Sequence, residues 1–201
     1  MSVDADGFDW SGGHPALDLV NTLDERPFDQ PIETLVSYRD LIRFVELAGL
    51  VEPPTAAELA KLSGPKCSNT LARTRGLREQ LHDVLLAMHS KCPVRPSDLE
   101  AISAAIQVAH ASRKLVAATS QYVASHTWSD LLAPEIPLHA CAIAVENLLV
   151  AIDHMKVRKC GASDCDVYFV DTSKGQHRQW CSMKGCGNRE KQRRRRPQTV
   201  G

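Results

Sequence analysis

The chain has 201 residues, and its 24 lysines and arginines balance its 24 aspartates and glutamates. Hydrophobic residues make up 43% and charged residues 24% of the sequence, which excludes wholesale disorder, a collagen-like repeat and a disulfide-stapled miniprotein. The charge is unevenly distributed. Residues 156–196 carry 12 basic against 4 acidic side chains, a net charge of +8, whereas residues 1–155 carry 12 basic against 20 acidic ones, a net charge of −8. This split indicates an acidic body with a basic end that attracts anions or is simply solvated.

The sequence has no pattern typical of a secreted or membrane protein. The first ten residues are acidic and lack the basic-then-apolar order of a signal peptide. The longest apolar stretch, residues 140–152, is too short to span a bilayer and contains Glu146 and Asn147. Seven cysteines, an odd number, fit a reducing compartment better than a disulfide framework. We therefore expect a cytoplasmic protein that does not bind a membrane.

Helical periodicity dominates residues 15–155, where apolar side chains recur at intervals of three and four. Capping residues and breakers divide this stretch into separate helices. The pattern predicts helices that begin at Pro15, follow Thr55 and Ser97, and span residues 34–50, 69–91 and 138–156.

Residues 157–188 have a different character, because the helical period stops and glycines and cysteines appear. The aromatic and β-branched stretch Val167–Val170 predicts a strand, and Lys174–Gly175 predicts a turn. His177–Cys181 is then expected to form a return strand. The good helix formers of residues 190–196 favour a final helix.

Four cysteines form two pairs with the spacing of zinc ligands. Four residues separate Cys160 from Cys165, four separate Cys181 from Cys186, and fifteen lie between the pairs. Two such pairs, one hairpin apart, bring four thiolates to the corners of a tetrahedron. Because the segment is too small for a stable core of its own, one structural Zn²⁺ per chain is expected to supply much of its folding free energy.

Other metal sites and other chemistry are disfavoured. An iron–sulfur cluster would need a different ligand spacing, and a site in which His177 replaces a cysteine remains an alternative. Four thiolates leave no metal position for water, and the sequence has no Gly-rich phosphate loop or serine-hydrolase elbow. We therefore expect no enzyme activity and no catalytic residues. The isolated cysteines are expected to be small buried hydrophobes: Cys67, Cys92 and Cys141.

The predicted architecture is mainly α. Residues 1–155 would form a helical domain that contains one small β-hairpin, built from Leu115–Ala117 and Tyr122–Val123. Residues 156–201 would form a treble-clef-like zinc ribbon composed of a hairpin and a basic helix.

A basic segment directly follows the fourth cysteine. On a helix, Arg189, Arg193 and Arg196 would share one face. A helix held at its base by a metal site suits phosphate contacts, since a guanidinium can bind a phosphate or a guanine edge with two hydrogen bonds. We therefore predict nucleic-acid binding. The candidate contacts are Arg178, Lys184, Arg189, Lys191, Arg193, Arg194, Arg195 and Arg196.

The first predicted helix carries a polar stripe. His14, Asp18, Asn21 and Glu25 lie four, three and four residues apart, opposite an apolar side of the same helix. His14, Asp18 and Asn21 could line an effector pocket or orient the zinc ribbon. An ordinary solvated face with capping roles is the simpler interpretation.

Several motifs together resemble a known family. Cys181–Met183 and Cys186–Arg189, preceded by Phe169–Ser173 and Trp180, resemble the CGNR zinc finger. In that family the finger follows an ABATE domain, whose early signature is similar to Leu17–Leu23. The resemblance covers essentially the whole chain.

The resemblance implies a bacterial, stress-induced transcription regulator whose finger binds DNA and one zinc ion. The turn Lys174–His177 departs from the Arg-Asn-Gly-Ser-like sequence common in relatives. By motif, the metal ligands carry over to Cys160, Cys165, Cys181 and Cys186, and the basic helix to Arg189, Lys191, Arg193 and Arg194.

Two other functions remain open at this point. The finger could dock on an acidic protein without contacting nucleic acid, or the helical domain could bind a small-molecule effector. RNA is an alternative to duplex DNA as the partner. A homodimer would suit a regulator that reads paired half-sites.

Overall fold

The computed structural model describes residues 7–118 and 123–195, with the side chain of Arg195 excluded. This part of the chain contains seven α-helices and three small antiparallel strand pairs, which confirms the mainly α fold class. The elements in chain order are α1 (Pro15–Asn21), β1 (Leu23–Asp24), β2 (Ile32–Glu33), α2 (Tyr38–Leu47), α3 (Pro53–Leu59), α4 (Pro65–His89), α5 (Pro96–Ala111), β3 (Arg113–Ala117), β4 (Ala124–Trp128), α6 (Ile136–Ala151), β5 (Val157–Lys159), β6 (Tyr168–Val170) and α7 (Asn188–Arg195).

The chain forms two compact units, and the boundary is crossed twice. One unit, the helical unit, consists of residues 35–149. The other, the finger unit, combines the residues before 35 with those from 150 onward. The sequence predicts two domains, 1–155 and 156–201, with a single boundary between them. This division stays a prediction.

The helical unit is built from amphipathic helices. α2 begins at a capping box in which the Ser37 side chain accepts from the Asp40 N–H and the Asp40 carboxylate accepts from the Ser37 N–H. α4 packs against both α2 and α5. Removing these helices' apolar sides from water stabilises the unit. Its fully buried side chains include Leu41, Phe44, Leu81 and Ile102.

The hairpin of the helical unit lies close to its predicted position. β3 and β4 pair antiparallel, from Arg113 opposite Trp128 to Ala117 opposite Ala124. Val123, of the expected second strand Tyr122–Val123, directly precedes β4, and its carbonyl accepts from the Ala118 N–H at 3.3 Å, so it continues the antiparallel pairing. Tyr122 lies outside the described residues.

The finger unit contains α1, both remaining strand pairs and α7. β6 pairs antiparallel with β5, so the expected return strand over His177–Cys181 is wrong. The Asp171 carboxylate explains this path: it accepts hydrogen bonds from the N–H groups of Ser173 and Arg178 at 3.0 and 2.9 Å. The chain therefore wraps around a buried carboxylate instead of extending back along β6.

Within the described ranges, no helix is both long and apolar enough to cross a membrane.

Candidate metal centre and basic surface

Two loops bring the four paired cysteines together. The first cysteine loop, residues 160–165, connects β5 to the segment before β6. The second cysteine loop, residues 181–186, ends in a single π-helical turn, Met183–Gly187, that leads into α7. All four cysteines are buried, and their Sγ atoms lie within 4.8 Å of one another. His177 is exposed and does not belong to this group.

The sulfur geometry fits a tetrahedral zinc ion. Zn–S bonds of about 2.3 Å at tetrahedral angles place the sulfurs about 3.8 Å apart. The Sγ atom of Cys181 lies 3.8 Å from that of Cys165 and 3.5 Å from that of Cys186. Four cysteine thiolates are a preferred donor set for structural zinc. The chain therefore has a group of four cysteines that could hold one zinc ion: Cys160, Cys165, Cys181 and Cys186.

Hydrogen bonds and crowding show why this site needs a cation. The thiols of Cys165 and Cys181 lower the pKa of Cys160 by hydrogen bonding to its thiolate. Their hydrogen bonds to Cys160 in turn raise the pKa of Cys165 and of Cys181. Four adjacent thiols cannot all ionise against each other's charge, whereas a divalent ion stabilises all four thiolates.

A small apolar core supports the metal centre. Phe169 is fully buried among the cysteines, and Trp180 packs against the same cluster. The Arg178 guanidinium stacks over the Phe169 ring at 4.3 Å and donates to the carbonyls of Trp180 and Cys181. Arg178, a predicted nucleic-acid contact, is therefore engaged by the finger's own backbone.

Asp164 holds the inner face of α7, and no sequence signal had singled it out. Arg189 donates to Asp164 Oδ1 through Nη2 at 2.9 Å, and its Nε lies 2.9 Å from Asp164 Oδ2. Arg193 Nη2 donates to the same Oδ2 at 3.2 Å, and its Nη1 donates to Ser163 Oγ and Glu190 Oε1 at 2.5 Å. The hydrogen bond from Arg189 lowers the pKa of Asp164. The face predicted for nucleic acid is thus turned, at Arg189 and Arg193, toward the first cysteine loop.

The outer face of α7 has a different character. Lys191 and Arg194 are exposed, lie three residues apart and form no ion pair with any residue that the structure describes. Lys184, in the turn before α7, is likewise exposed and without an ionic partner among those residues. Arg195 lies in α7, whereas Arg196 lies outside the described residues. We call Lys184, Lys191 and Arg194 the free cations.

The polar stripe of α1 contacts the finger. Asn21 Nδ2 donates to the Tyr168 carbonyl and Asn21 Oδ1 accepts from the Tyr168 N–H, both at 3.0 Å. The Val170 N–H donates to the Gly12 carbonyl at 2.8 Å. The backbone groups of the residues that alternate with Tyr168 and Val170 form their hydrogen bonds on the other edge of β6, which faces β5. The segment before residue 22 therefore covers the edge of β6 that β5 leaves open.

Asp18 and His14 support this contact from within α1. The Gly12 N–H donates to Asp18 Oδ1 at 2.9 Å, and a Cβ atom at Gly12 would approach that oxygen to 2.5 Å, so only glycine fits. His14 caps α1 by accepting from the Ala16 N–H at 3.2 Å. Asp18 and Asn21 are only 7% and 5% exposed, which contradicts the solvated-face interpretation. Their described bonds agree with orientation of the finger.

The helical unit has a separate groove of about 1020 Å³ whose lining includes none of the stripe residues. It lies beside the β3–β4 hairpin. Its apolar lining comes from Pro54, Val116, Trp128, Leu131 and Leu132.

The three isolated cysteines do not share one environment. Cys67 and Cys141 are buried, as expected, but Cys92 is exposed, so the expectation for Cys92 is wrong. It lies just beyond the end of α4, where the chain turns back toward α5.

Two family models match the chain in succession. The ABATE model, described as "Putative stress-induced transcription regulator", matches residues 13–151. The model of the CGNR zinc finger matches residues 156–198. No curated protein matches the chain.

Proposed function

Because the chain belongs to the ABATE family and ends in a CGNR zinc finger, we propose that it is a transcription regulator that binds duplex DNA through the finger. The observation that carries the proposal is the outer face of α7. This face presents cations that have no ionic partner among the described residues, on a helix whose base is held by the metal centre.

The charge of the finger supports binding to a polyanion. Residues 156–196 have a formal charge of +8, and a zinc ion with four thiolates changes this by −2. The segment therefore stays strongly basic when it is loaded with metal. Cations that replace counterions along a nucleic-acid backbone gain free energy from counterion release.

The free cations suit backbone contacts better than base reading. Lys191 and Arg194 are neighbours on one helix face, and Lys184 precedes that helix by four residues. Phosphate contacts fix the register and orientation of a protein on a duplex without reading its sequence. We assign this role to the free cations.

The test is a salt titration of zinc-loaded, full-length protein against duplex DNA, a single strand and a structured RNA. Each lost phosphate contact reduces the slope of log affinity against log salt by about 0.9 on duplex DNA. The double variant Lys191→Gln/Arg194→Gln should therefore reduce the slope by about 1.8 while its zinc content stays unchanged.

The matched control removes the same charges from the helical unit. Arg39 and Lys66 are exposed there, and Arg39→Gln/Lys66→Gln should leave the slope unchanged. Equal slopes for both double variants would contradict the proposed contacts. If zinc-loaded protein binds none of the three probes, the nucleic-acid function is wrong and an acidic protein becomes the partner to seek. Tighter binding to RNA than to the duplex would replace DNA by RNA.

We also propose that the protein works in the cytoplasm, where a reducing environment keeps the four ligands as thiolates. It would act by binding and not by catalysis, because four thiolates complete a zinc coordination sphere.

A further inference from the structure

We infer that Arg189 is a positioning residue of the metal centre, which it holds together with Asp164, and that it does not contact nucleic acid. This inference deepens the proposed function, because it reassigns one of the predicted contacts.

One guanidinium connects the two halves of the metal site. Asp164 lies in the first cysteine loop, directly before Cys165, and Arg189 follows Cys186 by three residues. Its Nη2 and Nε reach the two carboxylate oxygens of Asp164, both at 2.9 Å. The same Nη2 lies 3.3 Å from Cys186 Sγ and donates to it. The Asp164–Arg189 bridge therefore cross-links the two cysteine loops beside their sulfurs.

The chemistry favours arginine at this position. A centre of four thiolates and one divalent ion keeps a net charge of about −2, which an N–H donor and a nearby cation stabilise. A hydrogen bond to one carboxylate oxygen, a second nitrogen beside the other oxygen and a hydrogen bond to sulfur together suit the planar fork of a guanidinium. Lysine has one compact ammonium group and cannot span both partners in this geometry. By contrast, either residue can serve as a phosphate contact.

Asp164 also explains why this face of α7 is not available to a phosphate. It accepts from both Arg189 and Arg193, and Arg193 is further held by Ser163 and Glu190. A phosphate that recruited these arginines would have to displace an intramolecular carboxylate that is already bonded to them. Phosphates that approach the outer face meet no such competition.

The experiment measures zinc affinity and salt slope on the same full-length variants. Zinc affinity is read by competition with a chromophoric chelator, and the slope is read on zinc-saturated protein with duplex DNA. Loss of a residue that supports metal ligands lowers metal affinity by about 10- to 100-fold. Arg189→Gln and Asp164→Asn should both show this loss, and the slope of Arg189→Gln should equal that of the parent protein.

Two single-charge controls separate a specific bridge from general electrostatics. Lys184→Gln removes a charge two residues before Cys186 without touching a sulfur, so zinc affinity should stay unchanged. Lys191→Gln should reduce the slope by about 0.9 and leave zinc affinity unchanged. Arg189→Lys keeps the charge and most of the bulk, so it keeps the test decisive if Arg189→Gln fails to fold. Its zinc affinity should also fall.

The outcomes distinguish this inference from the proposed function. The inference is overturned if Arg189→Gln lowers the slope as Lys191→Gln does while zinc affinity stays unchanged. It is also overturned if Arg189→Lys binds zinc as tightly as the parent protein. If the parent protein binds no nucleic acid, the proposed function fails, whereas the zinc measurements still decide the role of Arg189 at the metal centre.

Discussion

Asn21 gives the finger unit a contact that an isolated strand pair would lack. Its amide presents a donor and an acceptor at the spacing of a backbone peptide, and both groups bond to Tyr168. Tyr168 lies in β6 opposite Lys159 of β5, and its N–H and carbonyl bond at the other edge of the strand. Without Asn21, a buried N–H and a buried carbonyl would lose their partners, and such groups cost free energy when they are left unsatisfied.

Asn21→Ala should therefore destabilise the finger unit by about 2–3 kcal/mol. The local readout is hydrogen exchange of the Tyr168 amide, which should become faster in the zinc-loaded variant. Asn69, on the exposed side of α4, provides the matched control, and Asn69→Ala should leave that exchange unchanged. Slow exchange at Tyr168 in Asn21→Ala would show that the amide clamp is dispensable.

Asp18 makes the stability of the same contact depend on pH. Burial raises the pKa of Asp18 to about 7, and the nearby charge of Asp9 adds to this rise, although the Gly12 N–H opposes it. Between about pH 4 and 7, Asp18 therefore keeps its proton in the folded protein. In the unfolded chain its pKa has the ordinary value near 4, and the carboxyl has lost that proton. The stabilisation from this group is complete below that ordinary value and is lost as the pH rises to about 7.

Asp18→Asn removes this titration while keeping an oxygen for the Gly12 N–H. Compared with this variant, the parent protein should lose unfolding free energy as the pH rises toward about 7 and should then level off. Denaturant unfolding of zinc-loaded protein across this range provides the measurement. Parallel curves for the two proteins would mean that folding does not raise the pKa of Asp18.

The stripe shows what residue spacing can and cannot predict. Helical periodicity correctly placed Asp18 and Asn21 together on α1, and it left open whether they bind an effector or orient the finger. The partner of Asn21 is the backbone of a residue 147 positions away. A backbone group carries no sequence signal of its own, so this partner could be found only from the fold.

Among the elements, the finger hairpin is where sequence reasoning chose the wrong partner. β6 was predicted correctly from its aromatic and β-branched residues, but it pairs with β5 and not with His177–Cys181. Val157–Lys159 has only three residues, two of them charged, and therefore has no visible alternation. The wrong strand was excluded by Asp171, whose role depends on a folded loop around its carboxylate.

Asp171→Asn should loosen this loop. The change removes the ion pair with Arg158 at 3.0 Å and replaces one acceptor oxygen by a donor that faces other N–H donors. We expect faster exchange of the Arg178 amide and a loss of at least about 1 kcal/mol in the finger unit. Asp153→Asn, an exposed change in the same unit, controls for the lost charge. Unchanged exchange at Arg178 would exclude Asp171 as the centre of the loop.

The metal centre was the most predictable element of the molecule. Cysteine spacing states the ligands and their number directly, because each ligand is a named side chain at a fixed interval. The electrostatic surface was less predictable. Helical spacing grouped Arg189 with Arg193, but the sequence contained no sign that Asp164 would accept from both.

At the scale of the whole molecule, the compact units do not follow the order of the chain. The helical unit is inserted between two segments that together make the finger unit. α1, which lies within the ABATE match, belongs by its contacts to β6 and to the metal-binding segment. Metal binding should therefore stabilise residues far away in sequence.

Removing zinc with a chelator tests this linkage in the intact protein. Folding of a small metal-dependent segment is coupled to its ion, so amides of β5, β6 and the Cys186 turn should lose protection from hydrogen exchange. Amides of α1 should lose protection with them, whereas those of α2 and α4 should keep it. Protection of α1 that persists without zinc would show that this helix folds independently of the finger.

The covered edge of β6 bears on how this protein is divided into fragments. A fragment that begins at residue 156 keeps every zinc ligand but loses Gly12 and Asn21, so the backbone groups of Tyr168 and Val170 face solvent. Open strand edges are templates for pairing with other chains. Such a fragment would load with zinc and still self-associate, and adding back a peptide of residues 8–24 would restore its solubility.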